Sequence, residues 1–160
     1  MKKHVLVAFS GLLIAGPAAA ADYTSIVIER PVNASVDDTW KKISPYCSLS
    51  EWLGPACEIT KGNGTDVGSV RSIAGGRVTE VLVSTTKYSY TYTFIAPNPT
   101  SYHGHLEAIA DGANKSKIVY TLFYDQEPTG TAEAKAADKA QRTKTFTGGV
   151  EKMVKMAEGK

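Results

Sequence analysis

Two adjacent glycines, Gly75 and Gly76, separate two strand-like runs and thereby decide which residues of those runs face each other. A two-residue glycine loop favours a tight hairpin turn, and the turn fixes the register on both sides. Ala74 then stands opposite Arg77, Ile73 opposite Val78, Arg71 opposite Glu80 and Ser69 opposite Leu82. Arg71 and Glu80 share a face with Ile73, Val78 and Leu82. A guanidinium can meet a carboxylate through two parallel hydrogen bonds. The pair is therefore either an interior ion pair that orients the polar end of a ligand, or a cross-strand surface pair that tunes register. The opposite face carries Val70, Val81 and Val83 and is equally able to be the inner one, so both readings stand.

The next run, Tyr88, Tyr90, Tyr92 and Phe94, alternates with Ser89, Thr91 and Thr93, which makes one face aromatic and the other hydroxylated. Aromatic stripes on strands ordinarily build core, although tyrosine hydroxyls also serve buried ligands. Tyr102, Gly104 and Leu106, followed by Ile118, Tyr120, Leu122 and Tyr124, continue the same surface. His103, His105 and Glu107 spell H-x-H-x-E on one strand face, the pattern of a metal site. Because Tyr102, Leu106 and Ala108 claim the inner face, the three are expected on a solvated surface and no metal is assigned. No G-x-S-x-G, phosphate-binding loop, dinucleotide fingerprint or H-E-x-x-H occurs, so no cofactor is expected.

The only cysteines, Cys47 and Cys57, flank Trp52 in PYCSLSEWLGPAC. Their role depends on compartment. MKKHVLVAFSGLLIAGPAAAADY has a basic start, an apolar stretch and small residues at Ala19 and Ala21, the layout of a secretory signal peptide at residues 1–21, cleaved after Ala20 or Ala21. A soluble, exported, periplasmic domain of residues 22–160 is expected, with no stable membrane insertion once the signal is removed. In that setting two cysteines form one structural disulfide, because C-x9-C is unlike redox motifs and no histidine lies near enough for a zinc site. Closing so short a loop contributes about 2 to 3 kcal/mol.

Loss of Lys2 and Lys3 with the signal reduces 18 basic residues to 16, against 16 acidic ones. A neutral chain without basic runs carries no electrostatic footprint for nucleic acid. Its size suits one domain.

These residues must be positioned by a particular series of elements. YTSIVIERP (23–31) alternates as a strand; Asn33 or Ser35 caps a helix running to Ile43; Ser48 and Glu51 form a capping-box pattern for a second short helix ending near Gly54 and Pro55. CEITK, VGSVRSIA, RVTEVLVS, YSYTYTFI, SYHGHLEAIA and SKIVYTLFYD then read as an antiparallel meander, with breaks at 62–66, 75–76, 85–87, 97–100 and 111–115. A long helix from about Thr131 to Glu158 closes the chain, its Phe146, Val150, Met153, Val154 and Ala157 at helical spacing. Gly148 and Gly149 inside it cost about 1 kcal/mol each relative to alanine. They leave room either for a ligand or for a close approach, with Phe146 and Gly149 turned toward the sheet. The outcome is an α+β domain: a seven-stranded curved antiparallel sheet, two short helices after strand 1, and a long C-terminal helix.

That order, with WKKISPYCSLSEW, GTDVGSVRSI, GRVTEVL and FTGGVEKMVKMAEG, resembles the START-like helix-grip (SRPBCC) superfamily over essentially the whole mature chain. The polyketide cyclase/dehydratase-like branch, which has exported bacterial members, is the nearest in pattern. The resemblance implies a cavity between sheet and helix, an acid at Glu80 pointing into it, and short helices beside its mouth, where the bridge would hold Trp52. It also shows a departure: only Ala74 to Arg77 connect strands that a longer gating loop joins in plant hormone receptors of this fold, so a hormone-gated latch is not expected.

Three functions follow. The first is a binding protein for a small, apolar or amphipathic molecule, contacted by Trp52, Arg71, Ile73, Val78, Glu80, Leu82, Tyr90, Tyr92, Tyr102, Leu106, Tyr120, Leu122, Phe146 and Gly149. The second is a cyclase/dehydratase-like enzyme in which Glu80 and pocket tyrosines move protons. The third is an accessory protein that acts through its surface on another periplasmic protein.

Overall fold

The computed structural model describes residues 21–95 and 101–160; all but the last residue of the signal peptide expected over residues 1–21, and the turn expected near residues 97–100, lie outside them. The chain begins with β1 (Tyr23–Val32), then α1 (Val36–Ile43) and α2 (Leu49–Trp52). Six strands follow: β2 (Cys57–Lys61), β3 (Val70–Ile73), β4 (Val78–Thr85), β5 (Ser89–Phe94), β6 (Tyr102–Ala110) and β7 (Ser116–Asp125). A 3-10 turn at Glu127–Thr129 leads into α3 (Ala132–Glu158).

The seven strands form one antiparallel sheet in the order β1-β7-β6-β5-β4-β3-β2. This is the seven-stranded α+β architecture expected from the alternating runs, in the helix-grip arrangement that the family resemblance implied. Ile26, Ile28 and Val32 of β1 are buried while Val27 is exposed, so the alternation in YTSIVIERP sorts its side chains between core and water. The inner face of the sheet and the buried positions Gly149, Val150, Met153 and Ala157 of α3 enclose the core. Thr131 caps α3 by accepting from the Ala134 amide at 3.3 Å, and Gly159 closes its other end in the left-handed region.

One pair of alternatives is decided and two local expectations change. Ser35, not Asn33, caps α1, accepting from the Asp38 amide at 3.1 Å. Ser48 does not cap α2 through its side chain: its hydroxyl donates to the Ile43 carbonyl at 2.9 Å, tying α2 back to the end of α1 instead. VGSVRSIA also yields a shorter strand than expected. Gly68 adopts a positive φ and the Ser69 amide bonds the Asp66 carbonyl, so residues 67–69 belong to a turn and the regular ladder starts at Val70. The Ser69 carbonyl still accepts from the Leu82 amide at 2.9 Å, which preserves the opposition of Ser69 and Leu82.

Candidate functional site

The glycine turn produces the pairings that its length dictates: Ile73 faces Val78 and Arg71 faces Glu80. The structure also decides which face is inside. Arg71 is fully buried and Glu80 nearly so, with Ile73 and Leu82 beside them, whereas Val83 is exposed. Glu80 is therefore an interior carboxyl. Arg71 Nε donates to Glu80 Oε2 at 2.7 Å, and Nη2 lies 2.6 Å from the same oxygen but outside hydrogen-bonding geometry. The contact is one-sided, not the parallel two-oxygen fork. Among the described residues none donates to Oε1, which leaves one carboxylate oxygen available.

Arg71 is held from three further directions. Its Nη1 donates to the Tyr46 carbonyl, and its guanidinium carbon lies 4.1 Å from the Tyr46 ring centre and 4.5 Å from that of Tyr92. A cation between two aromatic faces, removed from water, gains attraction that partly offsets its desolvation. Burial is the largest influence on the Arg71 pKa and lowers it, but the Glu80 carboxylate and the neighbouring Tyr90, Tyr92 and Tyr46 together outweigh it, the net direction is upward, and the group stays charged. For Glu80, burial raises the pKa against the opposing pull of Arg71, and the net direction is upward. Burial likewise raises Tyr92, Tyr102 and Tyr120, so their hydroxyls stay protonated, and the Tyr92 and Tyr120 hydroxyls bond each other.

Beside this pair lies a chamber of about 380 Å³, walled by Leu49, Leu53, Ile73, Val78, Phe94 and Phe146 among others, with Tyr92 and Tyr102 completing the aromatic side. Glu80 is the acidic group that lines it, and Arg77 and Arg142 supply its basic ones. Arg142 is already engaged: it bonds Asp138 at 2.8 Å and covers the Tyr124 ring at 4.6 Å. A smaller chamber of about 170 Å³ is lined by Trp40, Ser44, Gly64, Thr65, Leu82, Thr85, Thr86, Ser89 and Tyr90.

Of the residues singled out from sequence, Ile73, Val78, Glu80, Tyr92, Tyr102 and Phe146 meet around the larger chamber, while Leu82 and Tyr90 line the smaller one. Arg71 lines neither and acts through Glu80. Leu106, Tyr120 and Leu122 are core residues outside both walls. Trp52 is not at a cavity mouth. It is 1 % exposed, packs edge-on against Tyr120 at 5.7 Å, and fills a notch left by Gly149, where a Cβ would come within 2.8 Å of its ring. Gly149 therefore provides a close approach to an indole, not space for a ligand. Cys47 and Cys57 are bridged, with Cα atoms 5.4 Å apart. His103 is exposed and His105, on the same outer face, bonds Thr91 at 2.9 Å through Nδ1.

Sequence reasoning passed over Leu49, Leu53, Pro55 and Arg142. A signal for them existed: Leu49 and Leu53 are one helical turn apart, as are Arg142 and Phe146. Nothing in the sequence marked Tyr46, which meets the Arg71 guanidinium with both its main-chain carbonyl and its ring.

Residues 23–158 match a sequence profile described as polyketide cyclase/dehydrase and lipid transport. No curated protein matches the chain. Solved structures share the fold at low identity. A protein from Thermobifida fusca superposes with a TM-score of 0.71 at 17 % identity, covering 83 % of this chain and 92 % of its own. The Zhui aromatase/cyclase from a Streptomyces strain gives 0.68 at 15 % identity, covering 85 % and 94 %. Norcoclaurine synthase from Thalictrum flavum, in complex with dopamine and hydroxybenzaldehyde, gives 0.63 at 19 % identity, covering 91 % and 95 %.

Proposed function

Because the chain belongs to the polyketide cyclase/dehydrase and lipid transport family, we propose that it is an exported binding protein that carries a small, mainly apolar molecule in the larger chamber. One observation carries this reading: a volume of about 380 Å³, within the range of small-molecule sites, has largely apolar walls and one interior carboxylate with an oxygen to spare. Apolar walls favour capture by removing ligand surface from water, at about 25 cal/mol per Å². Glu80 Oε1 accepts a hydrogen bond from a hydroxyl or amine at the ligand's buried end. Export is supported by the signal-peptide pattern and agrees with the Cys47–Cys57 bridge.

Native mass spectrometry of the protein recovered from its own periplasm tests the reading, followed by extraction of whatever co-purifies. A mass increment that disappears on organic extraction is the expected result. Absence of any increment, together with a melting temperature unmoved by a panel of apolar compounds, overturns it. Sequencing the amino terminus of the same sample tests export, with Ala21 or Asp22 expected as the first residue.

A second reading is favoured by the upward shift of Glu80: a carboxyl that holds its proton closer to neutrality suits proton transfer in a cyclase/dehydratase-like reaction. Glu80→Gln separates the two. An enzyme loses turnover of an extracted substrate while still binding it, and a carrier shows no turnover in either form.

A further inference from the structure

The charged side chains that line the larger chamber differ in how far they are already satisfied. Glu80 is answered by Arg71 in the interior, and Arg142 is paired with Asp138. Arg77 has no carboxylate partner among the described residues; its one bond runs from Nε to the Ala74 carbonyl at 3.4 Å and draws the side chain back over the β3–β4 turn. Arg142 is fixed through the same atom, its Nε donating to the two Asp138 oxygens at 3.0 and 2.8 Å while its guanidinium carbon lies over the Tyr124 ring. Both guanidiniums are thus held at Nε, and among the described residues the Nη1 and Nη2 groups of both have no hydrogen-bond partner. The two arginines come from elements remote in sequence, the β3–β4 turn and α3, yet line one chamber.

Depth separates the two signs of charge. Glu80 is 4 % exposed, whereas Arg77 is exposed and the Arg142 side chain keeps 35 % of its surface in solvent. The acid therefore marks the inner end of the chamber and the bases its rim. A ligand's anionic end driven inward would meet the Glu80 carboxylate away from water, where like charges repel strongly. At the rim it meets the open ends of two guanidiniums, whose planar fork suits a carboxylate.

We infer that the larger chamber takes an amphipathic acid, its apolar body inside and its carboxylate at the rim against Arg77 and Arg142. The inference rests on the carrier reading above and names the class of molecule carried. Burial of the apolar body supplies most of the affinity, and the arginines decide which end stays outside. Because the rim is wet, the ion pairs contribute modestly and weaken with salt, and together they favour an acid over its neutral ester by about fivefold at low ionic strength.

Displacement of the neutral fluorescent probe N-phenyl-1-naphthylamine by decanoate and by methyl decanoate tests this on the mature, disulfide-bonded protein. The two competitors share a chain and a carbonyl and differ in charge. Decanoate is expected to displace the probe at about fivefold lower concentration at low salt, with the advantage shrinking as salt is raised. Arg77→Gln is expected to lose much of that advantage while methyl decanoate is unaffected, and Arg77→Lys to keep much of it. Lys115→Gln, which removes an exposed cation that does not line the chamber, is expected to keep all of it. Equal displacement by acid and ester in the unmodified protein overturns the proposal and leaves the carrier reading intact. An advantage that survives Arg77→Gln, or that falls equally in Lys115→Gln, overturns it as well, since the charge effect then belongs to the whole surface. Failure of both compounds to displace the probe instead counts against the carrier reading itself, and the acid end falls with it. Should Arg77→Gln lose its cooperative thermal transition, the comparison of acid with ester at low and high salt in the unmodified protein decides alone.

Discussion

Glu80 holds its proton more tightly than an exposed glutamate because burial penalises its charged form more than Arg71 rewards it. The sign of the consequence is fixed by linkage. The unfolded chain releases this proton near the ordinary value of 4.5, while the folded chain retains it to higher pH. Between those points the folded state binds more protons, so this group's contribution to stability falls as pH rises through the window. Chemical denaturation at a series of pH values above 4.5 is expected to show this decline in the unmodified protein and to show it flattened in Glu80→Gln. Equal slopes in the two proteins would rule the assignment out. The variant is also expected to be less stable throughout, by about 3 kcal/mol or more, because it leaves the Arg71 charge buried without its counter-ion. The pairing of these two residues was legible in the sequence because Gly75 and Gly76 dictate register. Which face was inner was not, since valines on one side and isoleucine and leucine on the other gave equal hydrophobic claims. Tyr46 decides that question physically, by offering a carbonyl and a ring to the guanidinium from an element remote in sequence.

At the scale of elements, α3 shows how one sequence feature can have two different causes. Gly148 and Gly149 are adjacent, and each costs helix propensity, yet their surroundings differ. A Cβ on Gly149 would sit 2.8 Å from Trp52 Cε3, whereas one on Gly148 would meet nothing within 4 Å. Gly148→Ala is therefore expected to stabilise the protein by roughly 1 kcal/mol. Gly149→Ala is expected to destabilise it by about 1 to 3 kcal/mol through overpacking against the indole. Denaturant midpoints of the two variants check this, and destabilisation by both would show that the open space at Gly148 is needed for some other contact. The helical period predicted that Gly149 faces inward but could not name what it meets, because Trp52 arrives from α2, far away in sequence. The failed cap at Ser48 has a similar origin. A capping-box pattern describes a helix start in isolation, while here the hydroxyl is drawn to the end of the preceding helix at Ile43.

For the whole molecule, the bridge joins cavity wall to sheet edge. Between Cys47 and Cys57 the chain contributes Leu49, Leu53 and Pro55 to the larger chamber and Trp52 to the core. Cys47 directly follows Tyr46, and Cys57 faces Ile73 across β2 and β3, two residues from Arg71. Removing the bridge therefore has two separable effects. The unfolded chain gains freedom, which lowers stability by about 2 to 3 kcal/mol for a loop of this length. The folded chain keeps Trp52 seated in its notch at Gly149, so the fold survives, but the wall residues lose one of their two anchors. A Cys47→Ser, Cys57→Ser double variant is expected to unfold at lower denaturant with a single transition. Under conditions where it is fully folded, it is expected to bind decanol more weakly than the bridged protein. Undiminished affinity would mean that the core packing of Trp52 alone sets the wall, and that the bridge acts only on the unfolded chain.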